Sequence, residues 1–232
     1  MTRAVAGKEL RVLWASPVPY VVGALMQLAL ALLYVDQLAA RRQALFQPLV
    51  PIAGFLLLAV TPIVCMRAVA EESRAGTLEL LQAIPVPGRP IVVGKWLASW
   101  LTVLAVLAPV LLFVALLEWF GSPDPGPVLA GLVGLVLLAG ALTGLGVLAS
   151  SLSSSQPVAA MTAFFASLLL WFAHVRAESL SVGGVIDRLS ISERLRGFAG
   201  GVVDTSDVAF FVLLAAAALV LAAVAVDGRR LR

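Results

Sequence analysis

Long apolar runs alternate along the chain with short polar or proline-bearing stretches. Six runs stand out, over residues 17–34, 48–66, 90–119, 128–148, 157–172 and 208–226. Several exceed the ~20 residues that cross a hydrocarbon core of about 30 Å. The run over 90–119 is long enough to be tilted or to project from the bilayer. The pattern predicts an all-α polytopic membrane protein with six transmembrane helices in a single domain over 1–232.

Ahead of the first run, residues 3–15 set Arg3, Lys8, Glu9 and Arg11 against Val5, Leu10, Val12, Leu13 and Trp14. That division predicts a short interfacial helix within 1–16, lying on the membrane surface. Ser16-Pro17-Val18-Pro19 ends it, because proline fits a first helical turn and not a helix interior. Met1 to Glu9 shows no signal-peptide pattern, so the first span is expected to be retained.

The connectors differ in character. Asp36–Gln47 is polar and holds Arg41 and Arg42, Gly121–Pro127 is a turn, and Ser150–Gln156 is a short polar turn. Residues 174–207 mix charges with Leu180, Val182, Val185, Ile186, Leu189, Ile191, Leu195 and Phe198, which predicts short helices on the outer surface. The runs carry no Asp, Glu or His near their middles, so no proton or ion relay is visible and the energy source is expected outside the chain. Gly140 and Gly144 stand at helix-contact spacing; packing within the chain is favoured over a seam between copies.

Composition agrees with this picture. Hydrophobic residues make up 61% of the chain and charged residues 12%, with a mean hydropathy of +1.04; soluble domains carry roughly a quarter charged residues. The pI of about 9.6 does not mark nucleic-acid binding, since the basic residues sit at span ends. Cys65 is the only cysteine, which excludes an intrachain disulfide and a zinc cluster. Arg3, Lys8, Arg11, Arg67, Arg74, Arg89, Lys95, Arg229, Arg230 and Arg232 outnumber Arg41, Arg42, Arg176, Arg188, Arg194 and Arg196 on the other side. Both termini are therefore expected in the cytoplasm.

The most informative connector is 67–89. It reads as a helical extension through Glu71, Glu72, Ser73 and Arg74, a break at Gly76, then a short helix. Thr77 is a good N-cap and Glu79 lies in the first turn, where negative charge suits the helix dipole. Pro85 and Pro87-Gly88 end that helix and turn the chain back. A plain solvated connector is the bland alternative, but such connectors rarely carry two proline stops on one short helix.

Two other readings fail. Gly88 to Lys95 suggests a phosphate-binding loop, but Gly88 and Gly94 are one residue too far apart, and Trp96 stands where a Ser or Thr must reach magnesium. Gly94 instead suits close helix packing, and Lys95 is expected to snorkel to the headgroups. Glu71-Glu72-Ser73-Arg74 with His174 faintly resembles a membrane-embedded prenyl-protein peptidase. Arg74 follows the second Glu too closely, however, and one histidine supplies too few metal ligands. His174 is read as a structural residue at the outer interface.

The stretch from Glu71 to Lys95, in outline Glu-Glu, Arg, Gly-Thr-Leu-Glu-Leu-Leu, Pro and Gly-Lys, resembles the type-2 ABC export permeases. The likeness is greatest to their gliding-motility-associated (GldF-like) and nitrous-oxide-reductase-maturation-like (NosY-like) branch. Lys8-Glu9-Leu10 with Ser16-Pro17 resembles the family's N-terminal elbow helix, and Ala149-Ser150-Ser151-Leu152 resembles its inner turn.

The resemblance implies a permease domain without catalysis, whose cytoplasmic coupling helix docks on a separate ATPase. That helix would be Thr77–Ile84, including Leu78, Glu79, Leu80 and Leu81, with Glu71, Glu72 and Arg74 as polar contacts and Gly76 as the bend. ATP and Mg would be bound by the partner and no cofactor by this chain. The implied partners are two copies of an ABC ATP-binding subunit and a second permease, identical or paralogous, in the bacterial inner membrane. The resemblance also allows an extracytoplasmic or auxiliary membrane subunit and makes 174–207 a gate segment. A membrane scaffold or assembly factor without an ATPase is the alternative class.

Overall fold

The computed structural model describes residues 2–41, 45–70, 88–120, 123–173 and 189–228. Among them the chain is helical, without strands: α1 (Thr2–Ala15), α2 (Val18–Arg41), α3 (Leu49–Cys65), α4 (Gly88–Leu107), α5 (Val110–Phe120), α6 (Pro125–Leu152), α7 (Gln156–Trp171), α8 (Ile191–Ala199) and α9 (Thr205–Gly228). Four stretches are long and apolar enough to cross a membrane: Val18–Gln37, Gly88–Trp119, Pro125–Leu152 and Thr205–Gly228. Two further apolar helices, Leu49–Cys65 and Gln156–Trp171, are shorter.

Local chemistry explains most boundaries. Ser16 and Pro17 separate α1 from α2, and Pro19 falls in the first turn of α2, where its missing N–H costs nothing. Asp124 caps α6, its carboxylate accepting from the Gly126 N–H at 3.1 Å, with Pro125 opening the helix. Pro157 does the same for α7. Gly201, at φ 89°, closes the turn after α8 in a conformation that L side chains rarely adopt.

Several expectations are corrected. The run over 90–119 forms one span-length stretch, Gly88–Trp119, but with a break the sequence reading does not place: α4 and α5 part at Ala108–Pro109, because proline has no N–H for the carbonyl one turn back. Gln27 of α2 donates its Nε2–H to the Val106 carbonyl at 2.8 Å, so a neighbouring helix satisfies backbone beside the break, as lipid requires. Helix α2 continues past Tyr34 to Arg41, through residues read as a polar connector. Helix α6 likewise runs through Ser150 to Leu152, and Ser150 is fully buried.

The 189–207 portion of the segment read as a surface cap is also different. Helix α8 turns Ile191, Leu195 and Phe198 into the core, each with no exposure. Gly54 of α3 and Gly134 of α6 make room for Leu195 and Phe198. Ser192 donates to the Trp171 carbonyl at the end of α7 at 2.9 Å. Arg194 pairs with Asp207 and lies 4.3 Å from the Phe210 ring centre, tying α8 to α9.

Helix α6 is the axis of this arrangement, packed against α3, α4, α7, α8 and most extensively α9. Gly144 lies against the α9 backbone, where an added Cβ would stand 3.3 Å from Ala215 Cα. Gly140 faces Trp100, and its carbonyl accepts from Trp96 Nε1–H at 3.0 Å. Trp96 and Trp100 stack at 5.2 Å, and Trp100 donates in turn to the Val136 carbonyl.

Candidate functional site

The end of the bundle to which segment 71–87 is joined is built by four chain regions far apart in sequence. They are the last turns of α3, the head of α4, and the final turns of α6 and α9. Ala68, Val69, Val92, Val147, Ala222, Ala223 and Val226 form a small apolar cluster there, separate from the main core. The cluster draws on the turns after α3 and on α4, α6 and α9, so both attachment points of segment 71–87 rest on one packed floor.

The attachment at Ala70 depends on Ser150. After Cys65 the chain passes through turns at 66–69, which leave backbone N–H groups without helical partners. The Ser150 hydroxyl oxygen accepts from both the Val69 and Ala70 N–H groups at 3.0 Å, and its proton goes to the Met66 carbonyl at 3.2 Å. Ser150, Val69 and Ala70 are all buried, where unsatisfied N–H groups would each cost about 1–3 kcal/mol. Just beneath, Cys65 packs so closely on α6 that only glycine fits at 146. The thiol is buried.

The attachment at Gly88 depends on Asp227. The Gly88 N–H, at the start of α4, donates to Asp227 Oδ1 at 2.9 Å. A Cβ at residue 88 would stand 2.6 Å from that oxygen, so any larger residue would push the carboxylate aside. A carboxylate in the last turn of α9 opposes that helix's own dipole, but at the first N–H of α4 it stands where negative charge is favoured. Asp227 thus acts as an N-cap supplied by a different helix.

Helix α1 crosses the head of α4 beside this floor. At Gly94 an added Cβ would lie 2.9 Å from Val5 and 3.0 Å from the Thr2 carbonyl, which explains the glycine. The next residue, Lys95, is only 2% exposed and its ammonium lies 2.9 Å from Glu9 Oε1. Lys95 therefore does not reach outward to headgroups, as the sequence suggests; burial under α1 turns it to an acidic partner. A charge this deeply buried needs such a partner, since an isolated one costs several kcal/mol.

Of the residues singled out in the sequence, Glu71, Glu72, Arg74, Gly76, Thr77, Leu78, Glu79, Leu80 and Leu81 lie outside the described residues, as does His174. Gly140 and Gly144 lie within the bundle, against Trp100 and α9 respectively. Ser150 and Asp227 are not among the residues singled out: Ser150 reads as part of a turn, and Asp227 falls just beyond the last apolar run. The one available signal is Asp227's position, an acidic residue where a helix end disfavours it. Among the described residues, no three His, Cys, Asp or Glu side chains come together as a metal site.

Comparison with known proteins adds one match. The family model described as ABC-2 family transporter protein matches residues 26–176, well over half of the chain. A search of curated proteins gives no match. The matched region runs from within α2 past the end of α7 and includes Ser150, Lys95 and both attachment points of segment 71–87. The chain belongs to the ABC-2 transporter family, as a membrane component.

Proposed function

We propose that the chain is the permease subunit of an ABC exporter or mechanotransmitter of the GldF-like or NosY-like kind. It spans the inner membrane six times with both termini in the cytoplasm. Segment 71–87 docks on a separate ATP-binding subunit, two copies of which serve a pair of permeases. Nucleotide-driven closure of those subunits pushes on residues 71–81, and the bundle converts the push into movement across the membrane.

The observation that carries this reading is convergence. Helix α1, both attachment points of segment 71–87, and the ends of α6 and α9 meet at one end of the bundle, where Glu9–Lys95 ties α1 to α4, Ser150 holds residues 69–70 and Asp227 holds Gly88. A family member in which a charged connector issues from such a floor is suited to receiving force from another protein. The Glu-Glu and Arg positions supply charges with which a docking cleft can be complementary, which governs specificity and encounter rate.

The test is purification of the full chain from its native membrane, followed by ATPase assay of the complex. A stoichiometric ATP-binding subunit is expected, with hydrolysis absent from the chain alone. Combined charge reversal, Glu72→Lys with Arg74→Glu, is expected to lower permease-stimulated hydrolysis at least about tenfold, since like charges at an interface cost several kcal/mol. Normal stimulated turnover in that variant overturns the docking role. Persistent absence of an ATP-binding subunit would favour a scaffold instead.

A further inference from the structure

We infer that Ser150 and Asp227 are positioning residues that deliver movement of segment 71–87 to the α6–α9 pair, rather than only to α3 and α4, which are covalently joined to it. The inference rests on the docking role proposed above and adds the route by which force enters the bundle.

Three observations carry it. Each attachment point is held by a side chain from a helix remote in sequence: Ser150 of α6 grips the Val69 and Ala70 N–H groups, and Asp227 of α9 grips the Gly88 N–H. The two gripping helices are themselves the most extensively packed pair, with Gly144 set against the Ala215 backbone. Both grips sit over one shared apolar cluster. A displacement at either attachment point must therefore break its hydrogen bonds or move α6 and α9 with it. Glycine at 88 and proline at 90 sharpen the second grip. The former allows the carboxylate its close approach, and the latter removes one N–H that would otherwise compete for a cap.

Both residues act through the backbone they hold, at 69–70 and at 88. Loosening a grip should leave docking intact and lower the fraction of each push that reaches α6 and α9. Asp227→Asn keeps an acceptor oxygen at the same place, and Ser150→Thr keeps a hydroxyl; both should retain function where the alanine variants lose it.

The experiment is hydrogen–deuterium exchange on the full chain, alone and in complex with its co-purifying ATP-binding subunit, with and without MgATP and vanadate. In the chain alone, Asp227→Ala should speed exchange at the head of α4, and Ser150→Ala at residues 69–70, each by about tenfold, as expected for loss of a hydrogen bond to a buried or charged acceptor. In the complex, wild type should show nucleotide-driven changes in residues 143–152 and 218–228. Asp227→Ala should lose most of the change in residues 218–228 while half-saturation by the ATP-binding subunit stays within about twofold; Asp227→Asn should keep it.

If Asp227→Ala does not fold, Ser150→Ala makes the same test from the other attachment point. Full transmission to residues 218–228 in Asp227→Ala, or to residues 143–152 in Ser150→Ala, in a variant that hydrolyses ATP overturns the inference and leaves the docking role standing. Absence of any ATP-binding subunit and of any nucleotide effect in wild type overturns the docking role, and this inference with it.

Discussion

Helices α6 and α2 are both long, apolar and span-length, yet 67% of the span window of α6 is buried in the bundle against 22% for α2. The difference lies in side-chain size. Helix α6 carries Gly131, Gly134, Gly140, Gly144 and Gly146, and each lies close to a neighbour: Val50, Phe198, Trp100, Ala215 and Cys65 in turn. Helix α2 meets the bundle along one stripe, Met26, Leu30 and Tyr34, four residues apart. Its Tyr20, Val21, Leu25, Leu28, Leu32 and Val35 face outward. Apolarity assigns both helices to the membrane; in lipid, small residues decide which one becomes the axis.

The comparison can be broken most severely at α6. Gly134→Leu would drive a side chain into Phe198, whose Cβ and Cγ would stand 2.8 Å from the new Cβ. Overpacking of this kind costs at least about 1–3 kcal/mol, and here it should displace α8. The expected result is a lower unfolding midpoint in detergent and faster exchange over residues 191–199; a wild-type midpoint would show that α8 is not wedged against α6.

Leu138→Ala tests the same axis from the opposite direction. Leu138 has no exposure, so removing its branched end should cost about 2–4 kcal/mol, read as a shifted denaturation curve. The equivalent change on α2, Leu28→Ala, alters a side chain that is 58% exposed. It should shift the curve of the isolated chain by no more than about 0.5 kcal/mol. A larger loss confined to the assembled complex would show that another protein surface covers the α2 face, and would sharpen the contrast between the two helices.

Much of this architecture is legible from the sequence because it depends on local rules. The apolar runs locate the helices, and the helix breaks at 16–17 and after 120 follow from proline and capping chemistry. Gly144 reads as a contact glycine from spacing alone. What escapes depends on partners distant in the chain. Pro109 breaks its helix, but only the tertiary structure shows Gln27 donating to the Val106 carbonyl beside the break. Lys95 looks like a headgroup anchor until α1 lies over it with Glu9. Ser150 looks like a turn residue until the chain after α3 brings two N–H groups to its hydroxyl. The residues on which the functional reading began, Glu71 to Leu81, rest on motif alone, and the described residues instead reveal what holds the chain on either side of segment 71–87.

The break at Pro109 has a consequence for the surrounding lipid. The stretch Gly88–Trp119 contains 32 residues, about 48 Å as a straight rod, against a hydrocarbon thickness of about 30 Å. A rigid rod of that length must tilt as a whole when bilayer thickness changes. A jointed one can absorb the mismatch by swinging α5 alone, leaving α4 standing on Asp227 and Lys95. Membrane thickness can then act on the α5 half of this stretch without disturbing the α4 half.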